Sequence, residues 1–388
     1  MKAMILAGGK GTRVQPLTNT VPKPMIPIIS KPIMEFLVEV LRQHGFDQII
    51  VSTSYLADTI EAYFREGSRF GVEMGYSFEG YHADGRPVSE GVGSAGGLKK
   101  IQDFSGFFDD TFAVLCGDAL IDLDLTAALA FHRERKAIAT IVLKEVPREQ
   151  VGSYGVVETA PDGRILRFQE KPKPEEAVST SINTGIYLFE PEIFDYIPSG
   201  TTFDIGGQLF PLLAEKALPF YGVTMPFSWI DIGKTPDYWL ATQMILRGEF
   251  KIDMPGREIA PGVWGGINLA VDLDKCDIRP PVYIGASTSI EPGATIIGPT
   301  VIGRSCVIEA GATVDACVVD DHTRVSGFAE VREKIVGAHF CVDRAGRNVE
   351  LAGTGYGFVV DDARERRRWT DDDRVLMAFL ASQNELHL

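Results

Sequence analysis

Short apolar runs alternate with amphipathic stretches over roughly the first 250 residues. Met4-Ile5-Leu6, Gln48-Ile49-Ile50-Val51 and Phe112-Ala113-Val114-Leu115 are largely apolar at successive positions, while Ile33 to His44 spaces its apolar residues as one face of a helix. Strand and helix alternating in this way, with strands apolar on both faces, predicts a Rossmann-like, mostly parallel sheet flanked by helices. In such α/β sheets ligands sit at the carboxyl ends of the strands. Gly8 and Asp118 both fall at such ends. After about residue 248 the alternation fades, and Lys251 to Gly265, rich in Pro and Gly, reads as the start of a linker covering 251–275.

Beyond the linker the period becomes six. Ile284, Ile290, Ile296, Ile302, Ile308 and Val314 recur every sixth residue, and the positions four further on (Thr288, Ala294, Thr300, Cys306, Ala312, Val318) are small or of modest size. A hexapeptide repeat predicts a β-helix, each hexad giving one short strand with an inward aliphatic side chain and a turn. No single hexad can bury its aliphatic residue, so the coils must stack. The period slips near Val325 to Val331 and resumes at Val336 and Val342, so the expected β-helix spans 276–350. Residues 351–388 include Asp361 to Trp369, dense in both signs of charge, and the run Val375 to Leu380. They predict a salt-bridged helical tail capping the open end of the β-helix.

Composition narrows the function classes. With 388 residues, 45% hydrophobic and 23% charged, the chain is long enough for two folded domains. A formal net charge of −15 repels polyanions and no basic stripe offsets it, which argues against nucleic acid as a partner. The start, MKAMILAGG, reads as a first strand and not a signal peptide, and no stretch reaches the roughly 20 apolar residues of a membrane span. Cys116, Cys276, Cys306, Cys317 and Cys341 lack paired metal-ligand spacing and read as small hydrophobes in a reducing cytoplasm.

The chemistry concentrates in AGGKGTRVQPLTNTVPKP, where a strand runs into Gly8-Gly9-Lys10-Gly11-Thr12-Arg13 and then Lys23. Glycines let backbone N–H groups face a phosphate chain, and two cations neutralise its charge. The loop is neither a Walker A nor a GxGxxG pattern. Asp118, in Leu115-Cys116-Gly117-Asp118, and Asp231, in Trp229-Ile230-Asp231, end apolar runs far apart in sequence and suit a shared Mg²⁺, which takes few protein carboxylates and completes its shell with phosphate and water. Taken singly, each is a turn or cap residue. Asp122 and Asp124 read as caps of a helix from Leu125 to Arg135. Phe168-Gln169-Glu170-Lys171-Pro172 sets a carboxylate beside an ammonium, and Gly80 to Gly91 reads as an inserted hairpin turning at Asp84-Gly85.

With GGxGTRxxPLT and PKP in order, the chain resembles the sugar-phosphate nucleotidylyltransferases, whose nucleotide-diphospho-sugar transferase fold would cover 1–250 and whose left-handed β-helix would cover much of the rest. The resemblance implies that Leu6, Ala7, Gly8, Gly9, Gly11, Thr12, Arg13, Lys23, Glu79, Gly93, Ser94, Gly117 and Asp118 hold the nucleotide. It assigns the sugar phosphate to Tyr154, Gly155, Glu170, Lys171, Asn183, Thr184, Gly185 and Trp229, and the metal to Asp118 and Asp231. A sugar 1-phosphate is already anionic, so in-line attack on the α-phosphorus needs no general base, only positioning and charge neutralisation by Arg13, Lys23, Lys171 and the metal. SYLADTIEAYF, GSAGGLKK and LCGDALIDLDL look most like the cyanobacterial type of UDP-glucose pyrophosphorylase. That implies UTP and glucose 1-phosphate, with GTP and mannose 1-phosphate as the alternative and a homo-oligomer built through the β-helix. Two other readings are an acyltransferase using His322 or His339, for which neither histidine has a marked partner, and a non-catalytic nucleotide-sugar sensor, against which every nameable catalytic position is intact.

Overall fold

The computed structural model describes residues 1–83, 86–351 and 359–365. They fall into two compact units, the first made of residues 1–12, 18–26 and 32–231, the second of 13–17, 27–31 and 232 onward.

In the first unit four parallel strands stand in the order Phe112–Cys116, Lys2–Leu6, Gln48–Thr53, Glu73–Phe78. The continuous apolar runs arise because each strand feeds two cores. Ala3, Ile5, Ala113 and Leu115 pack on one face with Met34, Leu37, Val38 and Leu41 of the helix Ile33–Gln43. Met4, Phe112 and Val114 pack on the other with Ala95, Leu98 and Ile101 of the helix Ser94–Ser105. Successive side chains point to opposite faces of a strand, so a strand covered on both sides must be apolar throughout. The sheet is extended by antiparallel strands: Ser181–Phe189 against Phe112–Cys116, then Ala139–Glu145, Gly155–Thr159 and Ile165–Glu170. A separate two-stranded sheet pairs Trp229–Asp231 with Ala119–Ile121, placing Asp231 opposite Ala119.

Two local expectations divide. Asp124 does cap its helix, Leu125–Glu134, accepting from the Ala127 N–H at 3.0 Å. Asp122 does not; its carboxylate accepts from the Ser228 N–H at 2.5 Å and ties that turn to the segment entering Trp229. The strands Gly80–Ala83 and Arg86–Ser89 form the expected hairpin, while its turn, Asp84-Gly85, lies outside the described residues.

The second unit stacks short strands into three sheets that are parallel through the main coils. Ile284 pairs with Ile302, Ile290 with Ile308 and Ile296 with Val314, eighteen residues apart in each case, so three hexads make one coil. The inward residues of those hexads are buried, as are Thr288, Ala294, Thr300, Cys306 and Ala312. The slip falls earlier than the sequence suggests. Val319 pairs with Ile302 and Val325 with Ile308, so one residue is dropped after Val314, and Cys317 rather than Val318 takes the fully buried small position. A second step of five leads from Val331 to Val336, and Val342 lies on an antiparallel strand, Phe340–Asp343. The first coil also starts earlier: Arg257–Ala260 and Val263–Gly265 join the same sheet within the segment read as linker. The helix Thr235–Leu246, expected in the first domain, belongs to this unit, its Trp239 indole donating to the Ala316 carbonyl at 2.8 Å.

Of the expected helical tail, Val360–Asp362 is a strand, antiparallel to Thr323–Val325, with Asp361 bonded to Arg324 at 3.0 Å. It pairs where the next parallel coil would otherwise stand, which explains why charged residues read as a helix surface can serve as a sheet edge. Arg366 to Leu388, including Val375 to Leu380, lies outside the described residues. All five cysteines are free, Cys306, Cys317 and Cys341 buried and Cys116 and Cys276 half-buried. Among the described residues no helix is long and apolar enough to cross a membrane.

Candidate active site

The carboxyl ends of the central strands carry the polar residues that the cores exclude. Leu6 ends its strand, and its carbonyl accepts from the Gly117 N–H at 2.9 Å, so the first strand and the Asp118 turn are joined at that edge. Ala7 continues onto Ser52, donating to its carbonyl at 3.0 Å. The loop then opens, with Gly9 and Thr12 exposed. Gly11 has φ +63°, and a Cβ there would stand 3.0 Å from the Lys23 Cβ, so both backbone conformation and space call for glycine.

Lys23 begins the one-turn helix Lys23–Met25 and is buried. Its Nζ donates to Asp118 Oδ2 at 2.5 Å and lies 3.5 Å from Asp231 Oδ1. The two carboxylates, separated in sequence by more than a hundred residues, thus converge on one cation. Two hard oxygen donors gathered around a point charge also fit a divalent ion of the Mg²⁺ type, which needs few protein ligands.

The sugar-phosphate candidates assemble with them. Tyr154, Gly155, Glu170, Lys171, Asn183, Thr184, Gly185 and Trp229 line one cleft of about 180 Å³ together with Asp118 and Asp231. Pairing of Gly155 with Glu170 sets the Glu170-Lys171 step at the rim, and the Lys171 N–H donates to the Tyr154 carbonyl at 3.0 Å. Lys171 is exposed, 3.2 Å from Glu170, with φ +45°, a conformation costing a non-glycine residue about 1 kcal/mol or more. Asn183 turns its amide inward, donating to the Tyr187 hydroxyl at 3.0 Å and accepting from the Gly185 N–H at 2.9 Å. Gly185 has φ +77°, and a Cβ there would meet Cys116 Sγ at 2.7 Å. Trp229 is fixed by its indole N–H on the Thr184 carbonyl at 3.1 Å and stands edge-on to Tyr154.

Glu79, Gly93 and Ser94, expected to hold the nucleotide, are not among the residues lining this cleft. Glu79 follows the strand Glu73–Phe78, and its carboxylate packs against Gly8 and Gly97, each of whose Cβ positions it would approach to 3.2 Å. Burial pushes the Glu79 carboxyl up, and a Ser52 hydrogen bond and the Lys100 charge pull it partly back. Gly93 precedes the helix Ser94–Ser105, whose Ser94 hydroxyl donates to Asp204 at 2.8 Å and accepts from the Ile205 N–H. Arg13 is exposed in the turn Thr12–Val14 and belongs to the second unit.

A family model described as nucleotidyl transferase matches residues 2–248, the segment that carries all of these groups. The chain belongs to the nucleotidyl transferase family. A second model, the six-repeat bacterial transferase hexapeptide, matches residues 281–316. Among similar proteins is a UTP–glucose-1-phosphate uridylyltransferase of Synechocystis sp., 58% identical over 94% of each chain. A mannose-1-phosphate guanylyltransferase of Mycobacterium tuberculosis is 33% identical over 83% of this chain and 80% of its own. A crystal structure described as a glucose-1-phosphate thymidylyltransferase of Bacillus anthracis in complex with a sucrose aligns with TM-score 0.55 at 25% identity, covering 66% of this chain and 97% of that one.

In this nucleotidyl transferase, residues that sequence reasoning passed over also shape the site. Asp204 caps the turn Ile205–Leu209, accepting from the Gly207 N–H at 2.7 Å while it anchors Ser94. Gly206 approaches Glu170, whose Oε2 would stand 3.0 Å from a Cβ on it. The signal available was Asp204-Ile205-Gly206-Gly207, an Asx cap before paired glycines. Cys116 and Tyr187 line the cleft floor as well; burial raises both groups' pKa values, so they stay neutral.

Proposed function

We propose that the chain transfers the uridylyl group of UTP to glucose 1-phosphate, forming UDP-glucose and releasing pyrophosphate, with Mg²⁺ held by Asp118 and Asp231. The observation that carries this reading is the 58% identity over 94% of the chain to the Synechocystis uridylyltransferase, joined to a cleft that gathers every residue expected for the sugar phosphate.

The glucose 1-phosphate would enter that cleft with its phosphate toward Lys171 and its hydroxyls toward Glu170, Asn183 and the close backbone at Gly155 and Gly185. One of its phosphate oxygens attacks the α-phosphorus of UTP. The bond from that phosphorus to the β-phosphate bridge oxygen breaks, and pyrophosphate leaves with the electron pair. Bound Mg²⁺ would supply charge neutralisation at the phosphates. The glycine loop offers N–H groups to the triphosphate, and Lys23 supplies a buried ammonium beside it. Trp229 and Tyr154 close the apolar wall of the sugar site. Glu79, seated between Gly8 and Gly97, and the Gly93-Ser94 turn hold the base. Assembly into a homo-oligomer through the β-helix and a cytoplasmic location complete the reading.

A matrix of four nucleoside triphosphates against glucose, mannose and N-acetylglucosamine 1-phosphates, read by pyrophosphate release, tests it. Turnover is expected to be highest for UTP with glucose 1-phosphate. Preference for GTP with mannose 1-phosphate would instead align the chain with the mycobacterial relative, and binding without turnover in every pair would overturn the enzymatic reading.

A further inference from the structure

Lys23 is unusual among the site cations because its charge is buried and already engaged. Its side chain is only 9% exposed, against 63% for Lys171. The backbone around it is fixed by hydrogen bonds from Met25 N–H to the Pro22 carbonyl and from Ile26 N–H to the Lys23 carbonyl. Gly11 packs against the first carbons of its stem. The ammonium then reaches Asp118 at 2.5 Å and Asp231 at 3.5 Å, the same two carboxylates assigned to the metal. A divalent ion and Lys23 therefore compete for the same oxygens, and at these distances they repel one another strongly.

We propose that Lys23 is the resident counter-ion of the Asp118–Asp231 seat. It opposes entry of free Mg²⁺ and gives up the carboxylates to the metal only when a triphosphate is there to receive its ammonium. This rests on the assignment of the metal to those two aspartates. Asp118 and Asp231 are half-buried and close together, so their charges repel, and a local positive charge keeps the seat formed when no metal is present. Lysine suits the task better than arginine: its charge is compact and its flexible stem can redirect three donors without keeping a fixed planar geometry. A site guarded in this way takes its metal together with the nucleotide and not ahead of it.

The test is a titration of the full chain with Mn²⁺, a paramagnetic substitute for Mg²⁺, followed by electron paramagnetic resonance without nucleotide. Lys23→Met is expected to bind Mn²⁺ about tenfold or more tightly than the unaltered chain, because one positive charge next to the ion has gone. Lys23→Gln, which keeps a polar end for the aspartates, is expected to move in the same direction, with thermal melting of both variants reporting that they fold. Equal or weaker Mn²⁺ binding in both folded variants overturns the counter-ion role. Adding Asp118→Asn to Lys23→Met separates this from failure of the metal assignment: if the double variant binds Mn²⁺ as tightly as Lys23→Met does, Asp118 does not hold the metal and both readings fall. A measurement on the unaltered chain stands independently of any variant. The Lys23 ammonium can be followed by nitrogen-15 NMR: Mg²⁺ together with a non-hydrolysable triphosphate analogue is expected to shift it well beyond any change caused by millimolar Mg²⁺ alone, and a signal that both ligands together leave unchanged overturns the proposal.

Discussion

A strand such as Lys2–Leu6 feeds two cores at once, Ala3 and Ile5 on one face and Met4 on the other, whereas the β-helix strands Thr300–Ile302 and Thr313–Asp315 send Ile302 and Val314 into a single shared column. Polar groups follow the same division. Inside the β-helix, Thr288 donates to the Gly303 carbonyl and accepts from the Cys306 N–H, and Thr300 donates to the Ile297 carbonyl and accepts from the Cys317 N–H. These hydroxyls are satisfied by backbone groups of the β-helix itself and offer nothing to a ligand. In the first unit Lys23, Asp118 and Asp231 are charged and close, and the two aspartates line a cleft. The first unit thus concentrates reactive polarity where its sheet ends, and the second dissolves polarity into its repeat.

The strongest way to break that comparison is to remove a charge from the first unit. Asp118→Ala and Asp231→Ala are each expected to lower turnover by about 10³-fold or more, since each deletes a metal ligand and leaves the buried Lys23 ammonium half-paired. Pyrophosphate release under saturating substrates checks this, and near-normal turnover in either variant would remove that aspartate from the site. The matching experiment in the second unit is a loss of volume. Ile302 is fully buried in the column, and Ile302→Ala is expected to destabilise the fold by about 2–5 kcal/mol, read by urea unfolding. A cost below about 1 kcal/mol would mean that the column collapses around the gap rather than holding its register.

The two units were unequally legible. Hexad spacing located the inner residues from Ile284 to Val314 because a stacked column tolerates only one kind of residue at each inward place. The same regularity concealed the dropped residue after Val314, because Val318 and Val319 are both valines and only pairing with the preceding coil decides which faces inward. In the first unit, Asp118, Glu170 and Lys171 were found through local motifs and Asn183 through the family resemblance, and the structure brings them into one cleft. Asp204 was not found, because its importance comes from a bond to Ser94, 110 residues earlier, and distance in sequence hides such partners. Asp122 misled for the same reason: a carboxylate just before a helix suggests a cap, but its partner is the Ser228 N–H.

Half-buried carboxylates extend the comparison, since both units contain one whose charge is disfavoured. Glu79 in the first unit is pushed up by burial. In the second, Asp320 is pushed up to about 6, chiefly by burial and also by Asp321, against opposing pulls from a backbone hydrogen bond, His322 and Arg304. For a carboxyl raised in this way, the unfolded chain releases its proton first, so the folded state binds more protons between the two values. Its contribution is fully present below the unfolded value near 3.8 and is lost as pH rises through about 6. Asp320→Asn removes that loss and is expected to gain up to about 3 kcal/mol over the unaltered chain above pH 6, and little near pH 4. Urea unfolding at the two pH values checks it; an equal effect at both would show that packing and not charge sets the cost.

The smallest expected effect concerns how the first unit ends its helices. A parallel coil needs no cap because each strand's backbone is bonded by the next, but the helix Leu125–Glu134 leaves N–H groups at its start that no backbone carbonyl within the helix can reach. Asp124 supplies one acceptor, at 3.0 Å from the Ala127 N–H, and its charge also favours the positive end of the helix dipole. Asp124→Ala is therefore expected to cost about 1 kcal/mol in urea unfolding, with turnover retained. Asp124→Asn keeps the acceptor without the charge and should recover most of the loss. If Asn recovers none, the dipole term outweighs the hydrogen bond, and the carboxylate acts here by its charge as the site carboxylates do.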